Sequence, residues 1–178
     1  MMSKNNENVD TWVKEVLAKL PTFREFIIYA KLCGLRKEES IQSYNLIIEL
    51  SKENRLNGYF NEATSCLEHF KYPKIFIRHT KNAYISFIPK EVVLEITQKD
   101  MITYEAIRKR LEKQGFKIKL KLLRSAWATF MQNHLTPSEI DLLQGRINQS
   151  IFMQHYFSPS IQELKARTLN AIQQLNNI

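Results

Sequence analysis

Four glycines and five prolines in 178 residues leave the chain few places to reverse direction cheaply. A chain so poor in turn formers is expected to be mainly helix with short connections. The apolar spacing agrees. Trp12, Val13, Val16, Leu17 and Leu20 predict a helix over 10–20 that Pro21 ends, after a frayed tail at 1–9. Thr22-Phe-Arg-Glu25 reads as a capping box opening a helix with Phe26, Ile27, Tyr29 and Ala30, which Gly34 stops. A third helix starts near Arg36 and carries Ile41, Tyr44, Ile47, Ile48 and Leu50. Asn57-Gly58 is a turn, and 61–70 reads as a short helix.

The texture changes at 74–88. Lys74-Ile-Phe-Ile-Arg-His79 and Ala83-Tyr-Ile-Ser-Phe-Ile88 are β-prone runs around Thr80-Lys81-Asn82, which predicts a hairpin with Lys81 at its tip. Pro89 suits the first turn of a new helix. Further helices are expected over 103–114, stopped by Gly115, and near 121–133, with 116–120 either extended or an approach to a helix. Two more are opened by Thr136-Pro137-Ser138-Glu139 and by Ser160 with Glu163, with a short segment to about 155 between them. The fold class expected is mainly α with a small antiparallel β-hairpin or sheet, in a single domain over 10–178.

Charge narrows the partner. Lys and Arg number 26 against 18 Asp and Glu, a net +8. The excess is uneven. From His69 to Lys90 there are Lys71, Lys74, Arg78, Lys81 and Lys90 without an acid. From Glu105 to Arg124 there are Arg108, Lys109, Arg110, Lys113, Lys117, Lys119, Lys121 and Arg124 against Glu105 and Glu112. Two such runs point to a face for a polyanion. No run has the ~18 apolar residues of a membrane span, and the polar start is unlike a signal peptide. Cys33 and Cys66 have no zinc spacing and read as reduced, structural thiols. A cytoplasmic protein with an anionic partner (nucleic acid, a membrane surface or a phosphorylated ligand), and with no metal and no cofactor, is the expectation.

Three motifs bear on chemistry. Cys33-Gly34-Leu35-Arg36-Lys37-Glu38-Glu39 sets an Arg just after a helix-ending Gly. Lys121-Leu-Leu-Arg124 sets two cations one turn apart on a helix face. Leu142-Leu-Gln-Gly145-Arg146 is followed ten residues on by Tyr156, and Arg124 precedes Arg146 by 22 residues. Over about 22–165 this order resembles the tyrosine recombinase (phage integrase) family. Its members carry an Arg in a G-L-R-x-x-E context, a lysine on a β-hairpin, a His-x-x-Arg box, a His or Trp after an L-L-G-like turn, and a nucleophilic Tyr. Lys121 stands where most relatives have His, and Arg146 where most have His or Trp. Lys in that box, and the stretch LEHFKYPKIFIRHTKNAYISFIP, look like the archaeal fusellovirus-type integrases.

The resemblance implies the tyrosine recombinase catalytic-domain fold and a catalytic set of Arg36, Lys81, Lys121, Arg124, Arg146 and Tyr156. Guanidinium groups suit the role because they are permanently charged and bidentate toward phosphate. Arg36 and Arg124 would clamp the scissile phosphate with Arg146 as a third donor, and Tyr156 would form a 3′-phosphotyrosine. A lysine among other cations gives up a proton more readily. By resemblance Lys81 is that acid, with Lys74 as its competitor, and Lys121 assists proton transfer or only binds phosphate. Lys74, Arg78, Lys117 and Lys119 are expected along the DNA backbone. Tyr29, Tyr44 and Tyr84 read as core, and His79, His134 and His155 as surface or packing residues.

The implied partner is double-stranded DNA at an attachment site, with self-association as a dimer or tetramer. Relatives carry an N-terminal DNA-clamping domain, so the chain reads as a catalytic fragment or one half of a split gene. The helix at 160–175 packs on its own domain or on a neighbouring subunit. Two other functions stay open: a DNA-binding remnant or regulator that does not cleave, and a type IB topoisomerase-like enzyme.

Overall fold

A computed structural model describes residues 4–177. Helix α1 (Lys4–Lys19) starts inside the segment expected to be a tail, whose first three residues lie outside the described ones. A 3-10 turn at Pro21–Phe23 leads into α2 (Arg24–Cys33). The capping box expected at Thr22 is not formed: Phe23 occupies the cap position, without a side-chain bond. The turn itself links the two helices, since the Phe23 N–H donates to Leu20 O at 3.1 Å. Gly34 then stops α2 in the left-handed region, φ +67°.

Helix α2 is the axis of the molecule. Phe26, Ile27, Tyr29, Ala30, Lys31, Leu32 and Cys33 are all buried, so this helix is covered all round. Against it pack α1, α3 (Lys37–Lys52), α5 (Lys90–Ile96), α7 (Leu120–Met131) and α10 (Ile161–Asn176). Leu164, Ala171, Ile172 and Leu175 of α10 are buried in the chain's own core, the first of the two packings open for this helix. Its expected Ser160 box is absent. Ser160 makes no side-chain cap and its backbone is already helical.

The β element departs most from expectation. Residues 61–70 are not a helix, and 74–79 are not a strand. A three-stranded antiparallel sheet joins β1 (Phe60–Asn61), β2 (Cys66–Leu67) and β3 (Ser86–Phe87) in that order. The run after Pro73 is one helical turn, α4 (Pro73–Phe76), because proline at the first helical position presets φ for it. What remains of the hairpin is a single bridge between Ile77 and Asn82, with Lys81 still in the turn it closes.

The other helices follow their signals. Thr103 caps α6 (Tyr104–Lys113), and Gly115 follows at φ +79°. Thr136 and Glu139 form a full capping box on α8 (Pro137–Leu143), and Asn148 caps α9 (Gln149–Tyr156). Residues 116–119 form no regular element, and Trp12 donates to Lys117 O at 2.8 Å. Cys33 and Cys66 are buried and unpaired, and burial pushes the Cys33 thiol up to about 12. Among the described residues no helix is long and apolar enough to cross a membrane.

Candidate active site

Three arginines approach one another from separate elements. Arg36 stands at the N-terminus of α3, one-quarter exposed, where Gly34 has just turned the chain. Its Nη1 donates to Glu39 Oε1 at 2.9 Å and to Asn82 O at 3.2 Å. Arg124, in the second turn of α7, donates through Nη1 to Gly34 O at 3.0 Å and through Nη2 to Gln144 O at 2.8 Å. Arg146 follows Gly145, half exposed, with Asp141 at 3.8 Å. Burial, then the nearby charges of Arg36 and Arg146, bring the Arg124 guanidinium down to about 10. Like charges held this close repel, and an anion between them relieves the repulsion.

Close backbone approaches make the gathering possible. Gly145 sits at φ +72°, and a Cβ there would lie 1.8 Å from Asn82 O. The Arg146 turn is thus pressed onto the Lys81–Asn82 turn. A Cβ on Gly34 would come within 2.6 Å of the Trp127 ring, and Trp127 donates to Leu32 O at 2.9 Å. That contact ties α7 to the end of α2, one turn beyond Arg124.

One buried acid serves two arginines. Glu39 is fully buried and accepts from Arg36 and from Arg78 Nη2, each at 2.9 Å, while its Oε2 takes the Arg36 N–H at 3.3 Å. Arg78, expected on the DNA backbone, is therefore bound to Glu39, with Glu38 at 3.9 Å. Gln144 also emerges here. Its side-chain amide donates to Arg124 O at 3.2 Å, and its buried Oε1 has no partner. Sequence reading assigned no role to Glu39, Gln144 or Asn82. The Glu39 position was visible as the last letter of the G-L-R-x-x-E context; the other two gave no signal.

The lysines lie at the edges. Lys81 is exposed beside Asn82, and Lys121 is exposed in the first turn of α7, one turn before Arg124. Lys74 is exposed on α4 and Lys117 before α7, while Lys119 reaches Asn8 Oδ1 on α1. Lys117 and Lys119 thus line the α1 side, whereas Lys74 precedes the Ile77–Asn82 turn and Lys81 lies within it.

Tyr156 ends α9 and is not among the arginines' hydrogen-bond partners. Its hydroxyl donates to Glu68 Oε2. Its ring lies 5.2 Å from Phe70 edge-on and 5.5 Å from Phe152, which stacks on Tyr84 at 4.5 Å. Tyr84 in turn donates to Ile147 O at 2.7 Å, beside Arg146. An aromatic stack thus links the tyrosine's helix to the arginine turn. Burial first, then the bond to Glu68, pushes the Tyr156 phenol well above its usual range. Tyr29, Tyr44 and Tyr84 are core residues, as read. His79 and His155 are exposed and His134 half-buried.

The archaeal phage integrase family model matches residues 55–166. The chain belongs to the archaeal phage integrase family. Neither a curated protein nor a solved structure matches it. The matched stretch of this integrase chain holds Lys81, Lys121, Arg124, Arg146 and Tyr156, and Arg36 lies before it.

Proposed function

We propose that this chain is the catalytic domain of a site-specific DNA recombinase that works through a phosphotyrosine. The observation that carries the reading is the meeting of Arg36, Arg124 and Arg146, from three elements, with Arg124 held by main-chain carbonyls and Arg36 by one more and by Glu39. A fixed, mutually repelling set of planar donors matches the non-bridging oxygens of a phosphodiester.

In this mechanism Tyr156 leaves Glu68 and its oxygen attacks the phosphorus in line. The Tyr156 O–P bond forms and the P–O5′ bond breaks. The phenol proton passes to solvent, and Lys81 supplies a proton to the 5′-oxygen, with Lys121 alongside as phosphate donor or proton carrier. The 3′-phosphotyrosine keeps the bond energy, so attack by a 5′-hydroxyl rejoins a strand with no added energy source. Lys74, Lys117 and Lys119 track the flanking backbone of double-stranded DNA, on which the chain self-associates.

A nicked suicide duplex carrying the attachment site tests the reading. Wild type is expected to give a covalent protein–DNA adduct and Tyr156→Phe none. Arg124→Ala is expected to lower the adduct rate by about 10²–10³, the scale of losing one transition-state donor. An adduct that survives Tyr156→Phe moves the nucleophile elsewhere. Binding without any adduct makes the chain a DNA-binding protein, and relaxation of supercoils without a specific site makes it topoisomerase-like.

A further inference from the structure

Glu68 forms and breaks no bond to the phosphate, yet it binds the Tyr156 hydroxyl in the free protein. It is 4% exposed, and a carboxylate so buried persists only with partners. It has two: Lys71 Nζ lies 2.8 Å from Oε1, and the Tyr156 hydroxyl donates to Oε2. The residue is itself fixed, because its N–H donates to Tyr59 O at 2.8 Å and its carbonyl accepts from Lys71 N at 3.2 Å, within the turn that opens at His69.

A phenol donating to a carboxylate forms a charge-assisted bond, stronger than one between neutral groups. It also keeps its proton, since a neighbouring negative charge opposes the phenolate. The charged or titratable groups facing the pair are Lys71 from its own turn, Cys66 from β2, and Lys165 from α10, across a cavity of about 110 Å³ that Tyr156 also lines. The residues touching Tyr156 (Glu68, Phe70, Phe152 and Phe157) share no member with those bonded to Arg36 and Arg124 (Glu39, Asn82, Gly34 and Gln144).

We propose that Glu68, anchored by Lys71, is a positioning residue that withholds the Tyr156 hydroxyl from the arginine cluster, so that DNA must displace this bond before cleavage begins. The proposal rests on Tyr156 being the nucleophile. It sets a brake on the free protein: strand cleavage starts only where the duplex supplies enough contacts to draw Tyr156 away.

Two readouts test it on the full chain. The first is single-turnover adduct formation at saturating suicide duplex and pH 7. Glu68→Gln, nearly isosteric and uncharged, is expected to react about tenfold faster, the equivalent of one charge-assisted hydrogen bond. Glu68→Asp, whose carboxylate is one methylene shorter, is expected to be faster as well. The second readout is ¹³Cζ-tyrosine NMR without DNA, with the Tyr156 signal assigned from Tyr156→Phe. At pH 7 its ¹³Cζ signal is expected to move upfield in Glu68→Gln as the charge-assisted bond is lost, with the other tyrosine signals unmoved. Equal rates and an unmoved Tyr156 signal overturn the proposal. A rate loss of about a hundredfold in Glu68→Gln also overturns it, making Glu68 the base that accepts the phenol proton. If no protein forms an adduct, the recombinase reading fails, while the Tyr156 NMR signal at pH 7 still decides whether Glu68 holds the hydroxyl.

Discussion

At the scale of single residues, the core hides a chain of polar groups that hydropathy does not reveal. Tyr29, Ser43, Tyr59, His69 and Ser86 are linked hydroxyl to hydroxyl to imidazole, at 2.5, 2.6, 2.6 and 2.8 Å. His69 is fully enclosed, and burial brings its imidazole down to about 3. The folded protein therefore keeps His69 neutral while the unfolded chain protonates it near 6.5. Unfolding takes up a proton below that value, so stability falls with pH by about 1.4 kcal/mol per unit from about 6.5 toward about 3. Urea denaturation at pH 7 and pH 4 is expected to show this decline, and His69→Gln to flatten it. Gly145 is the other sensitive position. Gly145→Ala combines a left-handed backbone with a clash onto Asn82 O, and is expected to cost about 3 kcal/mol, read from the urea midpoint.

At the scale of elements, helix ends divide into those that sequence specifies and those it does not. Gly34 and Gly115 stop their helices as read, because a left-handed residue costs glycine least. Thr136 and Ser160 carry the same box pattern, yet only Thr136 bonds its third-residue amide. Ser160 lies in a run of turns, with its hydroxyl 2.5 Å from Ser158 Oγ. Thr136→Ala is therefore expected to lower stability by about 1 kcal/mol, and Ser160→Ala by less than about 0.5 kcal/mol, read from the urea midpoint. The misread segment, 61–79, fails for a related reason. Strands of two residues carry no alternation to detect, and Ile75, Phe76 and Ile77 look β-prone although Pro73 starts a helical turn. The arginine positions were legible because their spacing resembles a family. The bonds that hold these side chains were not, since the burial of Glu39 beside Arg36 and of Glu68 beside Tyr156 is created only by the tertiary fold.

At the scale of the whole molecule, the net charge of +8 is spent unevenly. Arg108 is bound on its own helix to Glu105 and Glu112 at 2.8 and 2.9 Å, and Arg167 to Glu139 at 2.5 Å. Arg78 is held by Glu39. These arginines add little to an external field, whereas Lys74, Lys81, Lys117 and Lys121 point outward. Duplex affinity is expected to fall steeply with salt on a log–log plot. Lys74→Ala or Lys117→Ala should each reduce the slope by about 1, and Arg108→Ala should leave it unchanged. A filter-binding series between 50 and 300 mM salt measures this.

The carbonyls that hold the arginine cluster have a consequence for how such a chain can diverge. Gly34 O, Asn82 O and Gln144 O take the guanidinium protons, and a main-chain oxygen is offered by every residue type. The clamp is written largely in backbone shape, with the Glu39 side chain adding to it at Arg36. Descendants of this sequence can change most neighbours of Arg36 and Arg124 without losing the grip, provided the glycine-led turns keep their form. Sequence similarity would then fade across relatives long before the arrangement itself does.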